Sequence, residues 1–281
     1  MVSSEAAPYA KSGGLGDVIG SLPKALQAAD VDVRVVIPKY ATMKQEHLKD
    51  VEYIGSFFVN LGWRTQEAKI LKKKEPFPIY FIENDFYFGR EGLYGYGDDN
   101  ERFAFFSKAV LHMLSVIDFY PDVIQCNDWQ TGPVCMLLKE TYGKMIFYSK
   151  IKTLYTIHNL QYQGNFGRET MELLGVPNWC FENGNAEFYG NVSYMKMGLV
   201  YADHISTVSK TYAQEIQTPQ YGYGMDGVLR SRCDHLSGIL NGIDFLANNP
   251  ATDERIVKNF DRNSIAFKKE NKKALQQQLG L

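Results

Sequence analysis

The opening 38 residues restrict the fold more than any other stretch of the chain. A short apolar segment at 1–4 leads into the glycine-rich run Lys11-Ser12-Gly13-Gly14-Leu15-Gly16-Asp17-Val18. A helical pattern over 17–29 follows, with Leu22, Ala25 and Leu26 on one face, and then a second apolar segment at 31–38. Strand, loop, helix and strand in that order make a βαβ unit, which closes as a right-handed crossover between parallel strands. The loop lies where an α/β protein holds a phosphate, because glycines let backbone approach an anion and the N–H groups of a helix start point at it. Lys11 adds a movable positive charge. The glycine spacing matches neither the dinucleotide fingerprint nor the nucleotide triphosphate loop, which argues against a nicotinamide-dependent dehydrogenase.

The alternation continues along the chain. β-rich segments at 53–61, 67–71 and 79–82 read as an antiparallel excursion at one edge of a sheet. Residues 86–100 carry Tyr87, Tyr94 and Tyr96 among four glycines and read as a loop whose rings either cover a sugar or pack on the domain. Helical patterns at 101–118, 132–142, 193–202 and 210–216 alternate with strands at 123–126, 152–157, 204–208 and 236–240. The expected fold class is therefore α/β, a doubly wound, Rossmann-like parallel sheet covered by helices on both faces.

In such a sheet the ligand sits at the carboxyl ends of the strands. The polar residues that follow apolar strands here are the Lys11 to Gly16 loop, Asn127-Asp128-Trp129, His158-Asn159, Ser209 and Asn241-Gly242. Amides, a carboxylate and an imidazole together offer donors and acceptors to hydroxyl groups, while Tyr and Trp faces cover the C–H side of a sugar ring. A phosphate cradle beside a polyol pocket points to an activated sugar.

Composition excludes other classes. Of the 281 residues, 30 are Lys or Arg and 32 Asp or Glu, and the only compact basic cluster, Lys72 to Lys74, lacks the interleaved aromatics of a nucleic-acid path. No apolar run approaches a membrane span, and the start has no signal-peptide pattern, so a cytoplasmic protein is expected. Cys126, Cys135, Cys180 and Cys233 are scattered and read as reduced thiols. With no cluster of carboxylates at metal spacing, neither metal nor cofactor is expected.

The motifs resemble those of the bacterial glycogen synthases and plant starch synthases. The resemblance rests on Val2 to Pro8 with Lys11 to Val18, Asn127-Asp128-Trp129, Tyr155 to Gly164, Tyr201-Ala202-Asp203 with Thr207-Val208-Ser209, Tyr223 to Gly227, and Leu240 to Asp244, and it spans nearly the whole chain. It implies the amino-terminal half of a two-domain (GT-B) retaining glycosyltransferase that moves glucose from ADP-glucose or UDP-glucose to the non-reducing end of an α-1,4-glucan.

By the same resemblance, Lys11, Gly13 and Gly14 lie at the sugar-nucleotide phosphates and His158 beside the transferred glucose. Asp128 and Asn159 are its catalytic companions, and Asn241, Glu5, Tyr94 and Tyr162 are further substrate-binding candidates. Gln130 stands where many family members carry histidine. The expected division is a glycosyltransferase domain over 1–245 and a tail over 246–281 leading towards a carboxy-terminal nucleotide-binding half, the partner this half needs for activity. The alternative is a stand-alone glucan-binding or scaffold module without transferase activity.

Overall fold

Val2 joins two halves of one sheet. The strands, in chain order, are β1 (Val35–Pro38), β2 (Glu52–Leu61), β3 (Arg64–Lys73), β4 (Ile79–Glu83), β5 (Val123–Asn127), β6 (Lys152–Ile157), β7 (Asn165–Phe166), β8 (Glu187–Phe188), β9 (Asn191–Ser193), β10 (His204–Thr207) and β11 (Leu236–Gly238). Two four-stranded runs, β1-β4-β3-β2 and β11-β10-β6-β5, flank Val2, which bridges in parallel to Val36 of β1 and Cys126 of β5. Backbone bonds tie it on both sides. Val2 N donates to Gln125 O at 2.7 Å, and Ser3 N donates to Val36 O at 3.1 Å.

The parallel order is thus β4-β1-Val2-β5-β6-β10-β11, with pairing also parallel between β1 and β4, β5 and β6, β6 and β10, and β10 and β11. Chain direction across the sheet reverses between Val2 and β5. That gap is the topological switch point of a doubly wound sheet, where a crevice opens at the strand ends. Glu5 and Asp128 follow its two bordering strands. The structure, a computed structural model, describes residues 1–281 in two units, Met1–Leu240 and Asn241–Leu281.

The strands are apolar because helices cover them. β1 is buried throughout and β4 nearly so, the pattern of a sheet packed on both faces. Helix Asp99–Val116 carries Phe103, Phe105, Phe106, Val110, Leu111 and Leu114 into the core and packs against helix Gly132–Glu140, which packs in turn on helix Tyr194–Tyr201. None of the helices is long and apolar enough to cross a membrane. In the second unit, helix Lys268–Leu279 is anchored by Asn271, whose side chain accepts from Lys258 N and donates to Lys258 O.

Two sequence expectations shift. The segment at 79–82 is β4, antiparallel to β3 as expected but also paired in parallel with β1, so it joins the β2–β3 hairpin to the parallel sheet. The first helix begins at Gly14 and buries Leu15, Ile19 and Pro23, leaving Ala25 exposed. The reason is a close approach: a Cβ on Gly20 would lie 2.5 Å from Ala7 O, so the glycine face turns inward.

Candidate functional site

Asp128 ends β5 with φ 55° and ψ −177°, backbone space that is essentially reserved for glycine. Its own N–H donates to Thr156 O at 3.0 Å, while its Oδ1 accepts from His158 N at 2.7 Å and Asn159 N at 3.3 Å. The carboxyl therefore holds the chain that leaves β6. Burial pushes its pKa up to about 7, with the negative Glu5 adding to the rise and the two N–H donors opposing it.

His158 sits where that anchored loop starts. Burial lowers its pKa to about 4, opposed by the charge of Glu5, so the ring is neutral. Its Nε2 lies 2.9 Å from Asn127 Oδ1, and Asn127 Nδ2 donates to Val2 O at 2.9 Å. With that amide nitrogen engaged, Oδ1 is the acceptor and His158 carries its proton on Nε2. Nδ1 keeps its lone pair and can accept from a hydroxyl. Asn159 is exposed, and its side chain accepts from Gln161 N at 3.0 Å, shaping the turn.

Glu5 corrects the reading of the glycine loop. Buried to 3% exposure, its carboxylate accepts from Ser12 N and Ser12 Oγ, each at 2.6 Å, and from Gly13 N at 3.3 Å. Those amides were expected to face a phosphate, but an internal anion occupies them. What stays open is the start of the helix: Gly13 caps it with no side-chain bond, and a Cβ at Gly13 or Gly14 would meet nothing within 4 Å. Helix starts of this kind direct N–H groups at anions. Lys11 Nζ stands beside it, 2.7 Å from Asp17 Oδ1, with both side chains about half exposed.

The aromatic loop is tied to this corner. Tyr94 OH donates to Glu5 Oε1 at 2.7 Å and lies 2.8 Å from Ser4 Oγ, which therefore donates to it. Burial and the nearby Tyr40 and Glu5 hold the Tyr94 phenol well above its usual range. Below, Arg102 is fully buried, paired with Asp99 and donating to Tyr87 O at 2.8 Å. Of the two readings for this loop, its rings pack on the domain.

Trp129 forms the floor, edge-on to Phe103 with ring centres 5.1 Å apart. Gly164 passes directly beneath it: φ is +58°, and a Cβ there would lie 2.4 Å from the indole. Gln130 is buried, and its Oε1 has no hydrogen-bond partner. Tyr162 is exposed near the site, whereas Asn241 opens the second unit.

The structure thus gathers Glu5, Tyr94, Asn127, Asp128 and His158 at the switch point, with Lys11 and the helix start at its mouth. Asn127 was expected only as a polar strand end, and its part in orienting His158 was not foreseen. Tyr212, whose OH accepts from Leu160 N at 3.1 Å, left no local signal. No group of three or more His, Cys, Asp or Glu side chains is placed to hold a metal ion. A cavity of about 560 Å³ lies at the opposite edge, lined by Met1, Val35, Val110, Phe119 and Val123 at the strand starts, and takes no part in this site.

Comparison with known proteins matches residues 1–231 to the starch synthase catalytic domain. The chain is 50% identical to a glycogen synthase of Clostridioides difficile (strain 630), covering 100% of this chain and 60% of that protein. It is 49% identical to a glycogen synthase of Moorella thermoacetica, covering 58% of it. The chain therefore spans about 60% of the length of the curated relatives it matches. In structure it is similar to the catalytic domain of Starch Synthase IV from Arabidopsis thaliana bound to ADP and acarbose, with a TM-score of 0.92, 33% identity, and coverage of 100% of this chain and 58% of that one.

Proposed function

The chain belongs to the starch synthase catalytic domain family, and from that membership we propose that it supplies the acceptor side of a retaining glucosyltransferase. The enzyme transfers glucose from ADP-glucose to the non-reducing end of an α-1,4-glucan, in the cytoplasm, as part of glycogen or starch synthesis. ADP is favoured over UDP as the carrier because the similar Arabidopsis domain was solved with ADP, and the acarbose beside it supports a glucan acceptor. The remaining length of the relatives accommodates the carboxy-terminal half that closes the site.

The observation that carries this reading is the neutral His158, oriented by Asn127 and Asp128 at the switch-point crevice. An imidazole with a free Nδ1 accepts from a sugar hydroxyl at no cost in charge. Loss of the nucleoside diphosphate leaves negative charge on the departing phosphate and positive charge on the sugar. Lys11, released from Asp17, and the amides at Gly14 stabilise the first, since preorganised donors act where charge develops. The Asp128 carboxyl, near the sugar but tied to the His158 and Asn159 amides, is a positioning group that also offsets the second when ionised. Glu5 and Tyr94 shape the wall on the acceptor side.

The test measures glucose incorporated from labelled ADP-glucose into glycogen by the parent enzyme and its His158→Ala variant. Loss of turnover in the variant supports the reading, and undiminished turnover overturns it. A stand-alone glucan-binding module predicts glycogen binding by this chain with no incorporation by any longer form.

A further inference from the structure

Two tight turns in the first unit break the same rule in the same way. Tyr189-Gly190 joins β8 to β9 across the Phe188 and Asn191 pair, and Tyr223-Gly224 is closed by Met225 N donating to Gly222 O at 2.7 Å. In both, the two central residues have positive φ, 48° and 81° in each case. Turns of this kind favour Asn-Gly, Asp-Gly or Gly-Gly, and a bulky side chain in the first position is an outlier. Here tyrosine occupies that position twice.

The turns also touch. A Cβ on Gly224 would lie 3.0 Å from the Phe188 ring and 3.2 Å from that of Tyr189, so the second turn rests against the first. Gln163 Nε2 donates to Tyr223 O at 3.0 Å, which binds the pair to the residue after Tyr162. Tyr162, Tyr189 and Tyr223 are 62%, 80% and 48% exposed, so none is placed there to fill the core. Nearby charge is engaged: Glu187 Oε1 accepts from Gly190 N, and Lys196 Nζ donates to Glu187 O, each at 2.7 Å. The touching turns thus carry exposed tyrosines tied through Gln163 to Tyr162, which lies four residues along the chain from His158.

We propose that Tyr162, Tyr189 and Tyr223 form an outer platform that carries an α-1,4-glucan chain beyond its reacting end. The proposal rests on the acceptor reading above. A neutral polyol with alternating C–H faces and hydroxyls matches such a surface, because a tyrosine ring covers the apolar face while its OH reaches a hydroxyl. Strained residues that packing does not demand are a mark of function.

The test replaces tyrosine by the residue the turns prefer. Tyr189→Asn and Tyr223→Asn relieve the backbone, so each variant folds with an unchanged or higher Tm. Maltose and maltoheptaose are then titrated into the wild-type chain and both variants by NMR, with Tyr189→Phe as the conservative control. The platform requires maltoheptaose to bind about fivefold more weakly to each Asn variant, with maltose affinity unchanged and the Phe variant close to wild type. Equal maltoheptaose affinity in wild type and Asn variants overturns the platform and leaves the acceptor reading intact. A wild-type chain that binds neither sugar overturns both.

Discussion

Asn127 holds His158 through an amide whose other end is fixed to Val2: Oδ1 lies 2.9 Å from His158 Nε2 while Nδ2 donates to Val2 O at 2.9 Å. The tautomer of the histidine is thereby set from the first strand of the sheet. Asn127→Asp places a negative charge beside Nε2, and an opposite charge at that range raises a histidine pKa by about 1–3 units. The ring should then titrate well above its starting value of about 4, followed through its Cε1 proton by NMR. An unmoved titration would mean that Asn127 does not contact the ring in solution.

Asp128 and His158 pull stability in opposite directions with pH. The folded Asp128 pKa, about 7, lies above its unfolded value, so between about 4 and 7 the native state holds the proton more tightly and stability from this group falls as pH rises. The folded His158 pKa, about 4, lies below its unfolded value of roughly 6.5, so its contribution rises with pH over that window. The two nearly cancel in the wild type. Asp128→Asn should unmask a rising urea midpoint between pH 4 and 6.5, and His158→Gln a falling one up to pH 7. Parallel pH profiles for the three proteins would sink this account.

Glu5 is the internal anion of the glycine loop. Glu5→Ala takes from the Tyr94 O–H its carboxylate acceptor, leaving only the Ser4 contact, and releases Ser12 and Gly13, a loss of about 1–3 kcal/mol. Hydrogen exchange at the Ser12 and Gly13 amides should accelerate with it, while exchange in β10 follows only the global change. Protection of both amides at wild-type levels would show that the loop does not depend on this carboxylate.

Lys11 separates binding from folding. Its pair with Asp17 is exposed and contributes at most about 1 kcal/mol, so Lys11→Met should leave Tm nearly unchanged. ADP affinity, measured by calorimetry on the parent enzyme, should fall about tenfold, the effect of losing one charge-assisted contact. A large drop in Tm with intact affinity would reverse the assignment.

Gly164 has no substitute. Alanine meets both a positive φ and the Trp129 ring at 2.4 Å, so Gly164→Ala should destabilise by more than about 2 kcal/mol and shift tryptophan fluorescence. A variant as stable as wild type, with unchanged emission, would contradict the packing described.

Much of this was legible in the sequence because it is local. The apolar runs of β5, β6 and β10 end in Asn127, His158 and Ser209, and strand ends need no distant partner to be recognised. What was hidden depends on partners far along the chain or on loop closure. β4 was read as part of an antiparallel excursion and does pair that way with β3, but its other, parallel edge is set by β1, more than forty positions earlier. Glu5 was expected only as a substrate-binding residue, since no periodicity reports that a carboxylate curls back to amides seven and eight positions on. The turn conformation of Tyr189 and Tyr223 escaped notice because a positive φ leaves no trace when the residue is not glycine.

The placing of Val2 between β1 and β5 has a consequence for how the molecule is made. Val36 follows Val2 after a single helical crossover, but the other neighbour, Cys126, comes some ninety residues later. Until then the centre of the sheet has one open flank on the nascent chain. A contact of such wide sequence separation adds to the contact order, which slows folding. Val2 is thus among the residues that wait longest for their second partner.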